Sequence, residues 1–480
     1  MQSRFILLIA LAFSLHFSAT ALAIEPFKSI DIWPGASSSS PVYLTDVNGT
    51  LFFQANDGIN GDELWKSDGT EAGTVMVKNI CPYYPPHLGY LTNLKGTLFF
   101  SAFDGINGTE LWKSDGTEAG TVMVKDINPA GESYPSYMTT MNGTLFFQAN
   151  DGTHGVELWK SDGTEAGTVM VKDIDPGSSG SHPEQLTNVN GTLFFRAFDV
   201  TNGYELWKSD GTEANTVMVK NINPTWDSMP DCLTDINGTL FFDADEGTHG
   251  VELWKSDGTE AGTVLVKDIW PGLENSNPYL LTNLNGTLLF SANNGISTEL
   301  WKSDGSEANT VIVKNIFPRS LMNVNGTLFL NASDDINGYE LWKSDGTEAG
   351  TIMVKDIRAG YRSSDPQSLT NINGTLFFSA SDGINGAELW KSDGTEASTV
   401  MVKDISPGSY GSSPSEITDI NGTLFFRASD PNGAELWLYS TCLRFSLSDL
   451  NKDCVVDFLD FAIMASEWLD CNLSLPDLCW

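Results

Sequence analysis

Short apolar runs, each closed by Gly, Asn or Asp, recur along almost the whole chain. In residues 135–174 a run at 138–141 meets Asn142-Gly143, and Thr144-Leu145-Phe146-Phe147-Gln148-Ala149 follows. Asn-Gly between two such runs predicts a tight hairpin, because both turn residues accept positive φ. A loop at 151–155 leads to Glu157-Leu158-Trp159-Lys160-Ser161, and Asp162-Gly163-Thr164-Glu165-Ala166-Gly167 turns the chain into an apolar stretch at 168–174. The pattern predicts four antiparallel strands. Apolar residues fall on both faces of these strands, as in Leu145-Phe146-Phe147 and Val169-Met170-Val171. Such strands must be covered on both sides.

The unit repeats. Glu-Leu-Trp recurs nine times, with Trp65, Trp112, Trp159, Trp207, Trp254, Trp301, Trp342, Trp390 and Trp437, at steps of 47, 47, 48, 47, 47, 41, 48 and 47 residues. A period of this length with several strands per unit marks a β-propeller blade, where neighbouring blades supply the two-sided cover. The tryptophans then read as blade-to-blade anchors. At the N-terminus Asp31-Ile32-Trp33-Pro34-Gly35 repeats Asp268-Ile269-Trp270-Pro271-Gly272, which ends the fifth unit, so an orphan fourth strand precedes the array. The ninth unit lacks that strand after Trp437. The two balance if the N-terminal strand completes the last blade. The expected fold is therefore all-β, a propeller of about nine four-stranded blades closed by the N-terminal strand, followed by a small calcium-loop and helix tail.

Glu-Leu-Trp-Lys-Ser-Asp-Gly-Thr, as at 110–117, resembles the motif of the bacterial ELWxxDGT-repeat proteins, over nearly all of residues 28–440. The resemblance implies an exported propeller-type protein and brings no settled activity. Residues 1–23 fit export. Arg4, an apolar segment at 5–17 and Ala21-Leu22-Ala23 have the order of a secretory signal peptide with its cleavage site. The expected divisions are a signal peptide at 1–23, the propeller at 24–440 and a tail at 441–480.

The charge of -36, from 62 Asp and Glu against 26 Lys and Arg, excludes nucleic acid as a natural partner. No stretch beyond the leader is apolar enough to insert in a membrane. Four of the six cysteines, Cys442, Cys454, Cys471 and Cys479, crowd the tail and allow two disulfides in three pairings; Cys81 and Cys232 read as free thiols.

Within the repeats no catalytic constellation is expected. His154 and His249 replace an Asn of the other units, which marks a turn position. Two repeated loops, 104–110 and 115–120 in the second unit, place oxygen side chains at a spacing that suits a hard cation, and equally suits turns. Asn-Gly-Thr at Asn48, Asn142 and later equivalents reads as turn rather than glycosylation site. The symmetry fails at Cys81-Pro82-Tyr83-Tyr84-Pro85-Pro86-His87, at Trp226, at Asp243-Ala244-Asp245-Glu246 and at a six-residue deletion around Arg319. The Tyr/Pro-rich loop and Trp226 are candidates for an aromatic carbohydrate or peptide contact.

After residue 440 the repeat ends. Asp449, Asn451, Asp453, Asp457 and Asp460 stand at positions 1, 3, 5, 9 and 12 of a twelve-residue loop, with the carbonyl of Val455 at position 7. This is EF-hand ligand spacing and points to one calcium. Cys454 takes the usual glycine place and Asp460 that of the bidentate Glu. Phe458, Phe461, Ala462, Ala465, Trp468 and Leu469 share one face of an expected helix.

Loop and helix resemble one half-repeat of a type I dockerin, over about residues 447–470. That resemblance implies calcium-dependent docking to a cohesin-like scaffold or cell-surface component, in a family associated with polysaccharide breakdown. The leading expectation is an exported, non-catalytic binding or scaffold propeller tethered through its tail, with polysaccharide as a further candidate ligand. The alternatives are a glycosidase with paired carboxylates in the funnel, and a calcium-binding adhesive surface protein.

Overall fold

The computed structural model describes residues 27–82 and 84–440. The calcium-loop residues Asp449, Asn451, Asp453, Val455, Asp457 and Asp460, the leader and the four tail cysteines lie outside the described residues. The chain divides into two compact units, 29–438 and the two ends, 1–28 with 439–480. Of the second, only the ends of two strands are described, where the rings of Phe27 and Tyr439 lie 4.7 Å apart.

The first unit is a ring of nine four-stranded antiparallel sheets, a nine-bladed β-propeller. Blade 1 is typical, with strands Val42–Val47, Thr50–Asn56, Asp62–Ser67 and Val75–Lys78 in sequential order. Inner strands touch inner strands around a closed circuit, including the inner strands of blades 9 and 1. Blade 9 takes Ser415–Ile420, Thr423–Asp430 and Gly433–Ser440 from the C-terminal side and Phe27–Ile30 as its fourth strand. The closure read from the sequence is present. Among the described residues no helix is long and apolar enough to cross a membrane.

The core lies between blades. One cluster joins Phe52, Leu64 and Val77 of blade 1 to Leu98, Phe100 and Trp112 of blade 2. The next joins Phe99, Leu111 and Val124 to Leu145, Phe147 and Trp159. Eight of the nine repeated tryptophans are buried and Trp65 partly so. Each indole therefore fills an interblade seam, as the apolar pattern implied. The fourth-strand lysine of the preceding blade lies over several of these rings, Lys125 at 5.8 Å from Trp159 and Lys220 at 5.5 Å from Trp254. At the closing seam Ile30 stands in that lysine's place, buried in the cluster that Trp65 packs against.

Polar side chains tie the blades as well. Lys113 donates to the Gly163 carbonyl at 2.7 Å and Lys160 to that of Gly211 at 2.8 Å, each reaching the Asp-Gly-Thr turn of the next blade. The glutamate of every Glu-Leu-Trp is buried. Glu157 accepts from the Ile174 amide at 3.1 Å, the Ser181 amide at 3.0 Å and the Ser181 hydroxyl at 2.6 Å. It thereby fixes the linker that carries the chain to the next blade. At the ring's closure Glu435 holds Ile32 and Ser39 of the N-terminal segment in the same way, at 3.1 and 2.9 Å.

Candidate functional site

In an antiparallel blade the inner strand begins, and the outer strand ends, on the same face of the ring. That face also carries the loop between second and third strands. The opposite face carries the Asn-Gly and Asp-Gly-Thr turns, and these are internally saturated. Asp115 accepts from the Thr117 amide at 2.8 Å and hydroxyl at 2.7 Å, while Thr117 accepts from Gly120 at 2.9 Å. These bonds hold the Asp115 carboxyl below its ordinary range. The turn reading of this loop stands.

The loop of the first face is saturated too. Asp104 accepts from the amides of Ile106 and Asn107, at 2.8 and 2.7 Å, and from the Asn107 side chain at 2.7 Å. In blade 3, His154 Nδ1 meets Asp151 at 2.7 Å in the place of that Asn, which explains why Asn and His exchange. Among the described residues no group of three or more His, Cys, Asp or Glu side chains is placed to hold a metal ion.

Diversity gathers elsewhere on this face. Apart from the hairpin residues and Asp335, the non-glycine residues with positive φ fall at two repeated places, where the linker ends and one step into the inner strand. The second is a β-bulge, since pairing shifts between Val42 and Thr45, Gly89 and Thr92, and Ser136 and Thr139. Bulges re-aim a side chain, and non-glycine residues in this region of φ collect at functional sites. Tyr43, Tyr90 and Tyr137 occupy the bulge in blades 1 to 3, and Gln185, Cys232, Leu280, Ser368 and Glu416 occupy it in others. The linker place holds Ser40, His87, Tyr134, His182, Met229, Asn277, Asp365 and Ser413. A repeat that is nearly invariant in its seams varies here.

In blades 1 to 3 these places enclose a cavity of about 670 Å³, lined by Tyr43, Tyr84, His87, Tyr90, Glu132 and Tyr134 with Phe103 and smaller neighbours. The tyrosine faces are open, with Tyr84 65% and Tyr134 61% exposed. Tyr90 and Tyr137 lie 6.0 Å apart, and the His87 ring is 6.4 Å from Phe103. The Thr109 hydroxyl holds Glu132 at 3.0 Å. The bond from Tyr134 to Glu132 raises the phenol's pKa. The space exists because the facing residues of the first two strands, Gly89 and Ser101, are small. The Tyr/Pro-rich loop thus contributes Tyr84 and His87 to a site. Trp226, 80% exposed, is not among its lining residues. Sequence reading missed Tyr43, Tyr90, Tyr134 and Glu132, although the change of residue at one fixed place of the repeat was a signal in plain view.

A second departure lies in blades 4 and 5. Arg196 pairs with Glu184, and Asp231 is 3.8 Å away. Asp231 faces Asp243 across the strands. Burial first, and the Asp231 charge second, push Asp243 up to about 7. Cys232 beside them is pushed up to about 12, mainly by burial, and is a free thiol, as is buried Cys81. At the deletion, the inner strand of blade 7 lengthens to Phe317–Val324, and the Arg319 guanidinium lies 3.5 Å over Tyr339.

No protein-family model matches the chain, and no curated protein matches it. Among solved structures it is similar to a puromycin hydrolase, at 14% identity and a TM-score of 0.35, with 74% of this chain and 60% of that one covered. A prolyl endopeptidase gives 10% identity and a TM-score of 0.40 over 73% and 56%. A puromycin-hydrolyzing peptidase of Mycobacterium tuberculosis gives 10% and 0.38 over 75% and 60%. The chain thus spans somewhat more than half the length of these proteins.

Proposed function

We propose that this chain is an exported, non-catalytic binding propeller whose ligand enters the tyrosine-lined cavity of blades 1 to 3. The tail, 441–480, tethers it to a cohesin-like scaffold or a cell-surface component, within an assembly that degrades polysaccharide. Calcium is held there by Asp449, Asn451, Asp453, Asp457, Asp460 and the carbonyl of Val455. The observation that carries the binding role is the coincidence of left-handed backbone, varied side chains and open aromatic faces at one cavity. Open aromatic surface with a few fixed polar groups is the usual make-up of a ligand site. Capture from extracellular extract on the immobilised chain, with and without chelator, tests the tether; Tyr90→Ala with Tyr134→Ala tests the cavity.

One observation favours a second reading, a glycoside hydrolase. Asp231 and Asp243 are a carboxylate pair on facing residues, and burial raises Asp243 to about 7, the direction a general acid requires. Release of reducing ends from a polysaccharide panel, lost in Asp243→Asn, would establish it; no release by the wild type would remove it.

A further inference from the structure

We propose that the cavity of blades 1 to 3 binds an organic cation, a guanidinium or alkylammonium group, between aromatic faces and a carboxylate, as blades 4 and 7 hold an arginine of their own. The inference rests on reading this cavity as the ring's ligand site. Two other places of the ring show how an arginine is held between an aromatic ring and a carboxylate.

In blade 4 the facing pair of the first two strands is Glu184 and Arg196. Arg196 pairs with Glu184, approaches Asp231 at 3.8 Å and lies 5.9 Å from the ring of Tyr204, the first bulky residue of the third strand. In blade 7 Arg319 lies 3.5 Å over Tyr339, which holds the equivalent place, and 3.3 Å from Asp365. Each niche therefore holds a guanidinium between an aromatic face and a carboxylate. That combination is a strong one, since the ring quadrupole and the anion attract the same charge.

In blade 2 the facing pair is Gly89 and Ser101, and space replaces the arginine. The third-strand place of Tyr204 and Tyr339 is Thr109 here, and aromatic faces and a carboxylate come instead from bulge and linker, as Tyr90, Tyr134, Tyr43 and Glu132. Among the described residues no lysine or arginine lines the cavity. The chain's charge of -36 draws cations toward the surface from a distance and disfavours anionic ligands. A neutral ligand would use the tyrosines and leave Glu132 without an ionic partner.

Calorimetry on the full chain tests this with four probes: Nα-acetyl-arginine amide (arginine amide below), its neutral isostere Nα-acetyl-citrulline amide (citrulline amide below), a blocked Gly-Arg-Gly peptide and cellohexaose. Arginine amide should bind, and citrulline amide at least about tenfold more weakly. Glu132→Gln and Tyr134→Ala should each weaken arginine amide by about tenfold. Gly89→Glu with Ser101→Arg rebuilds the blade 4 pair inside the cavity and should abolish binding. An added Cβ at Gly89 meets no atom within 4 Å and Ser101 borders the cavity, so both side chains have room, and the melting temperature of this variant is measured beside its binding. Tighter binding of the peptide than of arginine amide assigns the cation to a protein side chain, and the reverse assigns it to a free molecule.

Equal binding of citrulline amide would overturn the proposal. So would arginine amide binding that survives all three variants, which is attraction to the acidic surface alone. If cellohexaose alone binds and Tyr134→Ala removes it, the cation is wrong and the ligand site stands. If no probe binds the wild type, both fall.

Discussion

The hydroxyl of Ser181 donates to the buried carboxylate of Glu157 at 2.6 Å, across twenty-four residues and from one blade's linker to its third strand. The same pair recurs as Ser133 with Glu110, Ser228 with Glu205, Ser276 with Glu252, and Ser364 with Glu340. A glutamate that looks like a motif letter is thus a staple for the linker. Glu157→Ala leaves the Ile174 and Ser181 amides and the hydroxyl without an acceptor. Each buried unmet donor costs about 1–3 kcal/mol, so a loss of roughly 3 kcal/mol or more is expected in chemical denaturation. A loss under about 0.5 kcal/mol would mean the linker is held by other means.

These glutamates also set a pH dependence. Burial pushes Glu63, Glu110, Glu157, Glu205 and Glu252 up to about 7, and raises Glu340, Glu388 and Glu435 as well. A carboxyl raised on folding contributes stability that is present below its ordinary range and lost as pH rises through its folded value. The melting temperature should therefore fall by several degrees between pH 5 and pH 8 at fixed ionic strength. His154 and His249, raised by Asp151 and Glu246, act in the same direction. Calorimetric scans that show melting rising over this interval would exclude the carboxyls as its main determinant.

Trp159→Ala should destabilise the ring by roughly 3–5 kcal/mol, because the buried indole fills the seam between blades 2 and 3. An effect at the level of surface substitutions would contradict the packing role.

A finer test concerns Gly167. Its added Cβ would lie 2.1 Å from the Asp162 carboxylate, yet blade 4 has Asn215 there, whose amide donates to Asp210 at 2.7 Å. Gly167→Asn should fall within about 0.5 kcal/mol of the parent, while Gly167→Val, which offers no donor, should be clearly destabilised. Equal losses for the two would show that the hydrogen bond does not offset the crowding.

The ring was legible in the chain because its determinants are local and repeated. Asn142-Gly143 adopts φ of 51° and 73°, the hairpin its sequence implies, and Ile30 and Glu435 close the last blade from opposite chain ends. The cavity was not legible from motif chemistry. Tyr43, Tyr90 and Tyr134 are far apart in sequence and ordinary as residues; curvature of the ring and the bulge bring them together. The Glu184–Arg196 niche is equally silent, since cross-strand register decides it.

Deleting residues 27–34 should expose the third strand of blade 9 and free Glu435 of its Ile32 partner. Lower melting or aggregation is expected, and an unchanged, soluble ring would argue against closure by this strand.

The central claim is a binding ring with a separate calcium-dependent tether, and one capture experiment addresses both parts. Full-length wild type, Asp449→Ala with Asp453→Ala, and Tyr90→Ala with Tyr134→Ala are immobilised and exposed to extracellular extract, with calcium or with chelator. The tail variant and the chelator should remove the same scaffold species. The tyrosine variant should instead lose a different ligand, whose capture by the wild type is indifferent to chelator. Identical captures from all three proteins, unchanged by chelator, would contradict the claim.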